Sequence, residues 1–168
     1  MILQSERLSI RKLRLDDLEQ LHKLQSNPNV MKYITNRPKS LEETEKELNK
    51  IVTSYDESLS DFLVLAVCLT NSREFIGTCA VIKNEENKSE IGYRLQEEHW
   101  GYGYGSELTK RLVIYCFEER NIDSVIANVE TRNHTSVKIL ENNGFDLINE
   151  EFDEEIGDFV RTYQKEKK

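Results

Sequence analysis

No stretch of this sequence stays apolar for long. The longest such runs, at residues 62–69 and 78–82, fall far short of the roughly 18 consecutive apolar residues a membrane-spanning helix needs, and they read instead as buried strands. Cysteine is scarce and odd in number. Cys68, Cys79 and Cys116 each sit inside an apolar run (FLVLAVCL, GTCAVI, VIYCFEE), which argues against a disulfide framework and predicts buried, reduced thiols. The three histidines, His22, His99 and His134, are scattered, with no HExxH or CxxC pattern beside them, so no metal centre is expected. The opening residues, MILQSERLSIRKLRL, show no apolar signal core followed by a small-residue cleavage site, and a cytoplasmic location is expected. Positive charge is in deficit: 23 Lys and Arg against 31 Asp and Glu leave a formal charge of -8. That balance excludes nucleic-acid binding driven by phosphate neutralisation. It suits a cationic partner only weakly, because acidity also serves solubility.

What is present is the material of an α+β protein. A length of 168 residues with 32% charged and 38% apolar residues fits one soluble domain, spanning 1–168. Alternation at residues 7–13 predicts a first strand. Asp16 and Asp17 then open a helix on which Leu15, Leu18, Leu21 and Leu24 recur at helical spacing, and Asn27-Pro28-Asn29 stops it. Ser40 begins a second, largely solvent-facing helix that runs to about Tyr55. Residues 62–69, 75–83 and 89–95 form an antiparallel meander. A helix at 106–120 packs Leu108, Leu112, Tyr115 and Cys116 on that sheet. A strand at 124–130, a short helix at 133–142 closed by Asn143-Gly144, and strands at 145–152 and 159–164 complete the order. The expectation is a mixed, mostly antiparallel central sheet of about seven strands flanked by about four helices.

The richest local signal is HWGYGYGS at residues 99–106, three glycines at alternate positions between a strand and a helix. Glycine lets a backbone approach a ligand closely, and the unpaired N–H groups at a helix start carry partial positive charge, so this turn is a candidate cradle for a pyrophosphate. A Walker loop needs Gly-Lys-Ser/Thr, and the dinucleotide fingerprint places its third glycine one position later within a parallel βαβ unit; neither fits. A flexible turn without a ligand is the alternative that the glycines alone leave open.

EIGYRL at 90–95, WGYGYGSE at 100–107, NHTS at 133–136 and NGF at 143–145 resemble, in order and spacing, the strand, CoA loop and following helix of the GNAT superfamily of N-acetyltransferases. SERLSIR at 5–11, Asp16-Asp17-Leu18 and Asn27-Pro28-Asn29-Val30 resemble the branch that contains the ribosomal-protein N-terminal acetyltransferases. The resemblance implies acetyl-CoA as cofactor. It implies that the pyrophosphate lies on backbone amides of Gly101, Tyr102, Gly103, Tyr104, Gly105 and Ser106. It also implies that the pantetheine arm pairs with the backbone of Tyr93, Arg94 and Leu95, where an N–H becomes the oxyanion donor, and that Asn133 contacts the cofactor. Asparagine also favours a helix cap, which is the plainer role for Asn133. Trp100 stands where the family usually has glutamine or arginine. Leu140 stands where many relatives have the tyrosine that protonates the thiolate. Ser136 is the substitute that the ribosomal-protein branch implies, against a plain role as a polar helix residue.

The chemistry can be argued without the family. An amine must lose its proton, attack the thioester carbonyl and expel a thiolate, while the carbonyl oxygen carries transient negative charge. Glu90, at a strand start, is the candidate base, against the plainer reading of a solvated strand-end charge. A lysine-type amine near pKa 10.4 costs roughly 4 kcal/mol to deprotonate at neutral pH, whereas an α-amine near 7.8 costs about 1 kcal/mol, so the lack of an obvious catalytic carboxylate or histidine leans toward an N-terminal or other low-pKa amine, with a protein or peptide N-terminus as the expected acceptor. A polyamine or aminoglycoside, favoured by the acidic balance, is the alternative acceptor. An acyl-CoA-binding sensor without catalysis is the alternative from another class, and a plain interaction module is a third. The segments at 33–40 and 150–158 are where the family admits its acceptor, and relatives allow a homodimer.

Overall fold

The computed structural model describes residues 2–56 and 61–168. One eight-stranded sheet runs in the order β1-β2-β3-β4-β5-β6-β8-β7. Its strands are β1 (Leu3–Gln4), β2 (Leu8–Lys12), β3 (Phe62–Leu69), β4 (Phe75–Lys83), β5 (Ser89–Leu95), β6 (Ser124–Glu130), β7 (Asp146–Asp153) and β8 (Asp158–Glu166). The helices are α1 (Leu18–Gln25), α2 (Pro28–Met31), α3 (Leu41–Ser54), α4 (Tyr104–Ile114) and α5 (His134–Asn142). Every neighbouring pair of strands is antiparallel except β5 with β6. β3 is apolar along its length because both of its faces are covered. Leu65 and Val67 join the core under α4 and α5, while Ala66 and Cys68 join the core under α1 and α3. The three cysteines are buried and unpaired.

The expected α+β sheet is present with more elements than were counted. β1 adds a strand, because Leu3 buries itself against β2 in a two-residue hairpin ladder too short to give a periodic signal. α1 ends at Gln25, before Asn27-Pro28-Asn29 as expected, and an additional short helix follows: the Asn27 side chain accepts from the Asn29 N–H at 2.8 Å and starts α2, with Pro28 in the first turn where a missing N–H costs nothing. Leu15 lies in a 3₁₀ turn, Leu15–Asp17, and is 57% exposed, so it is off the buried stripe that Leu21 and Leu24 provide. Asp17 stands at the helix start as expected and also forms an ion pair, taking both Nη1 and Nη2 of Arg11 at 2.7 Å and the Arg14 N–H at 2.8 Å. Burial opposes ionisation of Asp17, but these hydrogen bonds outweigh it and hold its pKa below the usual value. Ser40 and Glu43 close a reciprocal cap on α3, which buries Thr44, Leu48 and Ile51 and leaves the rest of the helix to solvent. α4 begins two residues before the expected start and passes into a π-helical turn, Tyr115–Glu119.

One glycine of the meander is tightly enclosed. A Cβ on Gly77 would sit 2.0 Å from the Arg94 carbonyl oxygen, a backbone atom that cannot give way. We expect Gly77→Ala to lower the unfolding free energy by about 2–3 kcal/mol, read from a urea titration; a loss under about 0.5 kcal/mol would contradict the tight β4–β5 contact.

Candidate active site

The parallel contact between β5 and β6 covers only Ser89↔Val125 and Glu90↔Ile126. Beyond it the strands part, and a cleft of about 1010 Å³ opens between them. Gln96 donates its N–H back to the Ile76 oxygen and the Arg94 oxygen lies against Gly77, so both peptide groups face β4. By the alternation of a strand, the peptide groups of Tyr93 and Leu95 face the open edge instead. The Leu95 oxygen there is taken by the Trp100 indole N–H at 2.9 Å.

The glycine turn enters the cleft from its other wall. Gly101 and Gly103 have φ of +80° and +81°, a left-handed backbone open to glycine at no steric cost. Gly103 is the N-cap of α4 and offers no side-chain hydrogen bond, which leaves the first amide N–H groups of the helix directed at the cleft mouth. Gly101, Gly103, Tyr104, Gly105 and Ser106 line the cleft. Tyr102 does not: it is 62% exposed and stacks on Tyr104 at 5.9 Å between ring centroids. The turn is tied to the N-terminal hairpin. Arg7 donates from Nη1 to the Tyr102 oxygen at 2.9 Å and from Nε to Glu107 at 2.7 Å, and Ser5 donates its hydroxyl to the same carboxylate at 2.7 Å.

Glu90, Tyr93, Arg94, Leu95, Asn133 and Ser136 all line this cleft. Asn133 is the N-cap of α5 and accepts the Ser136 N–H at 3.2 Å, so the plainer role proposed for it is filled. Leu140 belongs to the buried core and also contributes to the cleft lining. Of the two entry segments, 33–40 supplies Tyr33 and Ile34 to the lining, and the Tyr33 hydroxyl donates across to the Arg132 oxygen at 3.3 Å. From 150–158, Asp158 reaches the rim through Arg132, which it meets at 2.8 Å and which also holds Glu130.

Two features were not legible in the sequence. The Tyr93 hydroxyl lies where a Cβ on Gly105 would be, 2.7 Å from that position, and interacts with Ser136. Burial pushes the Tyr93 pKa up, and Ser136 partly restrains the rise. The second is the environment of Glu90. Burial raises its carboxyl above the usual range, against a smaller opposing hydrogen bond from Asn128.

A family model for the acetyltransferase (GNAT) domain matches residues 7–146. The uncharacterized N-acetyltransferase p20 of Bacillus licheniformis is 32% identical over 147 residues, 85% of this chain and 81% of that protein. The spermidine N(1)-acetyltransferase of Vibrio cholerae is 27% identical over 144 residues, 84% and 80% of the two chains. The crystal structure of a GNAT-family acetyltransferase from Bacillus anthracis superposes with a TM-score of 0.86 at 25% identity, covering 99% of this chain and 98% of that one.

A carboxylate with a raised folded pKa costs stability once pH rises through that pKa. Glu90→Gln is therefore expected to be more stable than the unmodified protein at pH 7, with the difference vanishing at pH values below the ordinary carboxylate range. Urea midpoints at the two pH values measure it, and a less stable variant at pH 7 would refute the buried, strained carboxylate.

Proposed function

This chain belongs to the GNAT acetyltransferase family and uses acetyl-CoA as its co-substrate, and from that premise we propose that residues 1–168, as one domain, transfer the acetyl group directly to the N-terminal α-amine of a protein or peptide. The supporting observation is that a single cleft joins the glycine turn, the unpaired edge of β5 and Glu90. The residues fit the co-substrate. Uncapped amides at the start of α4 suit a pyrophosphate without any lysine, and the open edge of β5 suits a chain of amides.

Acetyl-CoA, when bound, supplies the acetyl group as a thioester. The backbone from Gly101 to Ser106 would hold its pyrophosphate, and the Tyr93 and Leu95 N–H groups would meet its amide arm and the thioester carbonyl. Glu90 takes a proton from the acceptor ammonium, directly or through one water. The amine nitrogen then bonds the acetyl carbon as the carbon–sulfur bond breaks. Ser136 hydrogen-bonds the departing sulfur through its hydroxyl and relays to it the second proton, the one the attacking nitrogen sheds as the amide forms, so that no alkoxide is left; Tyr93 lies behind that hydroxyl.

A second reading, acetylation of a small polycation, draws on Glu47, Glu90 and Glu130 in the cleft lining and on the Vibrio cholerae relative. Thiol release from acetyl-CoA against N-terminal peptides, polyamines and aminoglycosides separates the two. We expect peptide-dependent release. Ser136→Ala should lower kcat by about 10-fold or more with little change in acetyl-CoA affinity; unchanged turnover would remove Ser136 from the mechanism. Glu90→Gln should flatten the acidic limb of the pH–rate profile, and an unaltered limb would remove Glu90. Acetyl-CoA binding with no thiol release for any amine would favour an acceptor outside the panel or a CoA-binding sensor.

A further inference from the structure

Glu90, Gly92 and Arg94 alternate along β5 and line the cleft together. Gly92 is exposed, and a Cβ built on it would meet nothing within 4 Å. Its φ is not positive, so neither crowding nor backbone conformation calls for glycine. What glycine does here is keep the floor low. The residue opposite on β4 is Ala80, also small, while Ile82 stands opposite Glu90 and Thr78 opposite Arg94. The result is a trough with a carboxylate at one end and a guanidinium at the other, their Cα atoms roughly 13 Å apart by strand rise.

The guanidinium end is incompletely satisfied. Arg94 Nη1 is buried and has no hydrogen-bond partner among the described residues. Its nearest carboxylate oxygen, Glu47 Oε1, stands 3.9 Å away, an ion pair beyond hydrogen-bond reach. Glu47 is also committed elsewhere, accepting from Gln25 at 3.1 Å and pairing with Lys39. Buried donors in native proteins are almost always paired, and one unpaired on a partly exposed side chain that lines the cleft calls for an acceptor from outside.

We propose that this trough is a bipolar acceptor slot, in which Arg94 binds a carbonyl or carboxylate oxygen of the acceptor while its amine lies toward Glu90 over the Gly92 floor. The substrate class follows: an amine with a carbonyl oxygen one or two residues along an extended chain, whether a peptide N-terminus or an amino-acid derivative. A diamine is disfavoured because its second ammonium would face the guanidinium. The inference rests on the acetyltransferase reading and adds to it the feature that selects the acceptor.

The test uses the full chain with saturating acetyl-CoA and three acceptors: a tripeptide amide with a free N-terminus, a single amino-acid amide and 1,4-diaminobutane. Arg94→Gln should raise KM for the tripeptide by about 10-fold, with kcat nearly constant and KM for the diamine unchanged or lower. Arg94→Lys should recover part of the loss. Gly92→Val should raise KM for all three acceptors while its urea midpoint stays at the wild-type value. Calorimetric titration of the tripeptide into the CoA-saturated protein should show the same weakening in Arg94→Gln. A tripeptide KM within twofold of wild type in that variant, or a wild-type preference for the diamine, overturns the slot. Relative use of the tripeptide and the single-residue amide identifies which source of the carbonyl is read. Absence of thiol release with every acceptor would instead sink the acetyltransferase reading itself.

Discussion

The parallel pairing of β5 with β6 ends after two residue pairs, and the active cleft exists because it ends there. A sheet that opens in its middle exposes peptide groups that would otherwise be paired, a cost that native folds accept where a ligand can complete the ladder. Tyr93 and Ile139 of α5 both pack close to Gly105 in the first turn of α4, where a Cβ would crowd them. Antiparallel ladders on both flanks, β4 with β5 and β6 with β8, keep each half of the opened sheet rigid. The same divergence places the N-termini of α4 and α5 at the two walls of one cleft.

An acidic protein can hold a pyrophosphate in such a cleft because the binding charge is supplied by backbone dipoles. The left-handed glycines at 101 and 103 turn the chain so that the first amides of α4 are directed outward, and the side chains around them serve to fix the turn. Arg7 spans from the Tyr102 oxygen to Glu107 and lies 4.7 Å from the Tyr104 ring centroid. Trp100, a departure from the residue the family usually carries, anchors the turn to β5 through the Leu95 oxygen. That bond also removes one of the carbonyls facing the open edge, so on Leu95 the N–H is the group left for a ligand.

Periodic and local features were readable from the sequence for a physical reason. β3, β4 and β6 occupy 62–69, 75–83 and 124–130, as their apolar patterns predicted, because burial on the sheet faces imposes that pattern residue by residue. The Ser40 and Asn133 caps were readable because a cap joins neighbours in the chain. The glycine turn was readable for the same reason. β1 was not, since two residues carry no period, and Leu15 was misplaced because a 3₁₀ turn rotates it off the helical stripe. The tertiary partners were invisible. Glu90 with Asn128, Tyr93 with Ser136 and Arg94 with Glu47 are each joined across 38 to 47 positions by topology alone. Assigning Tyr93, Arg94 and Leu95 to one role as a backbone edge therefore missed that their side chains serve two opposite faces: Tyr93 and Leu95 lie against the α4–α5 core, and Arg94 lies toward α3.

Glu90 and the proposed acceptor fit one another in protonation as well as in geometry. A carboxylate of ordinary acidity is a poor partner for an ammonium near pKa 10.4, because the gap in proton affinity is about 6 units and the transfer is correspondingly uphill. An α-ammonium near 7.8 narrows that gap, and the rise that burial gives Glu90 narrows it further from the other side. Burial raises Glu90, whose strand neighbours are Ile82 on β4 and Ile126 on β6. In its proposed role as base, Glu90 would need no histidine beside it to deprotonate an α-amine. The thiolate side calls for less, since a thiol of pKa near 8.5 is already a fair leaving group at neutral pH. The role proposed for Ser136 therefore asks little of a weak hydroxyl, and Leu140, one turn along α5, is buried.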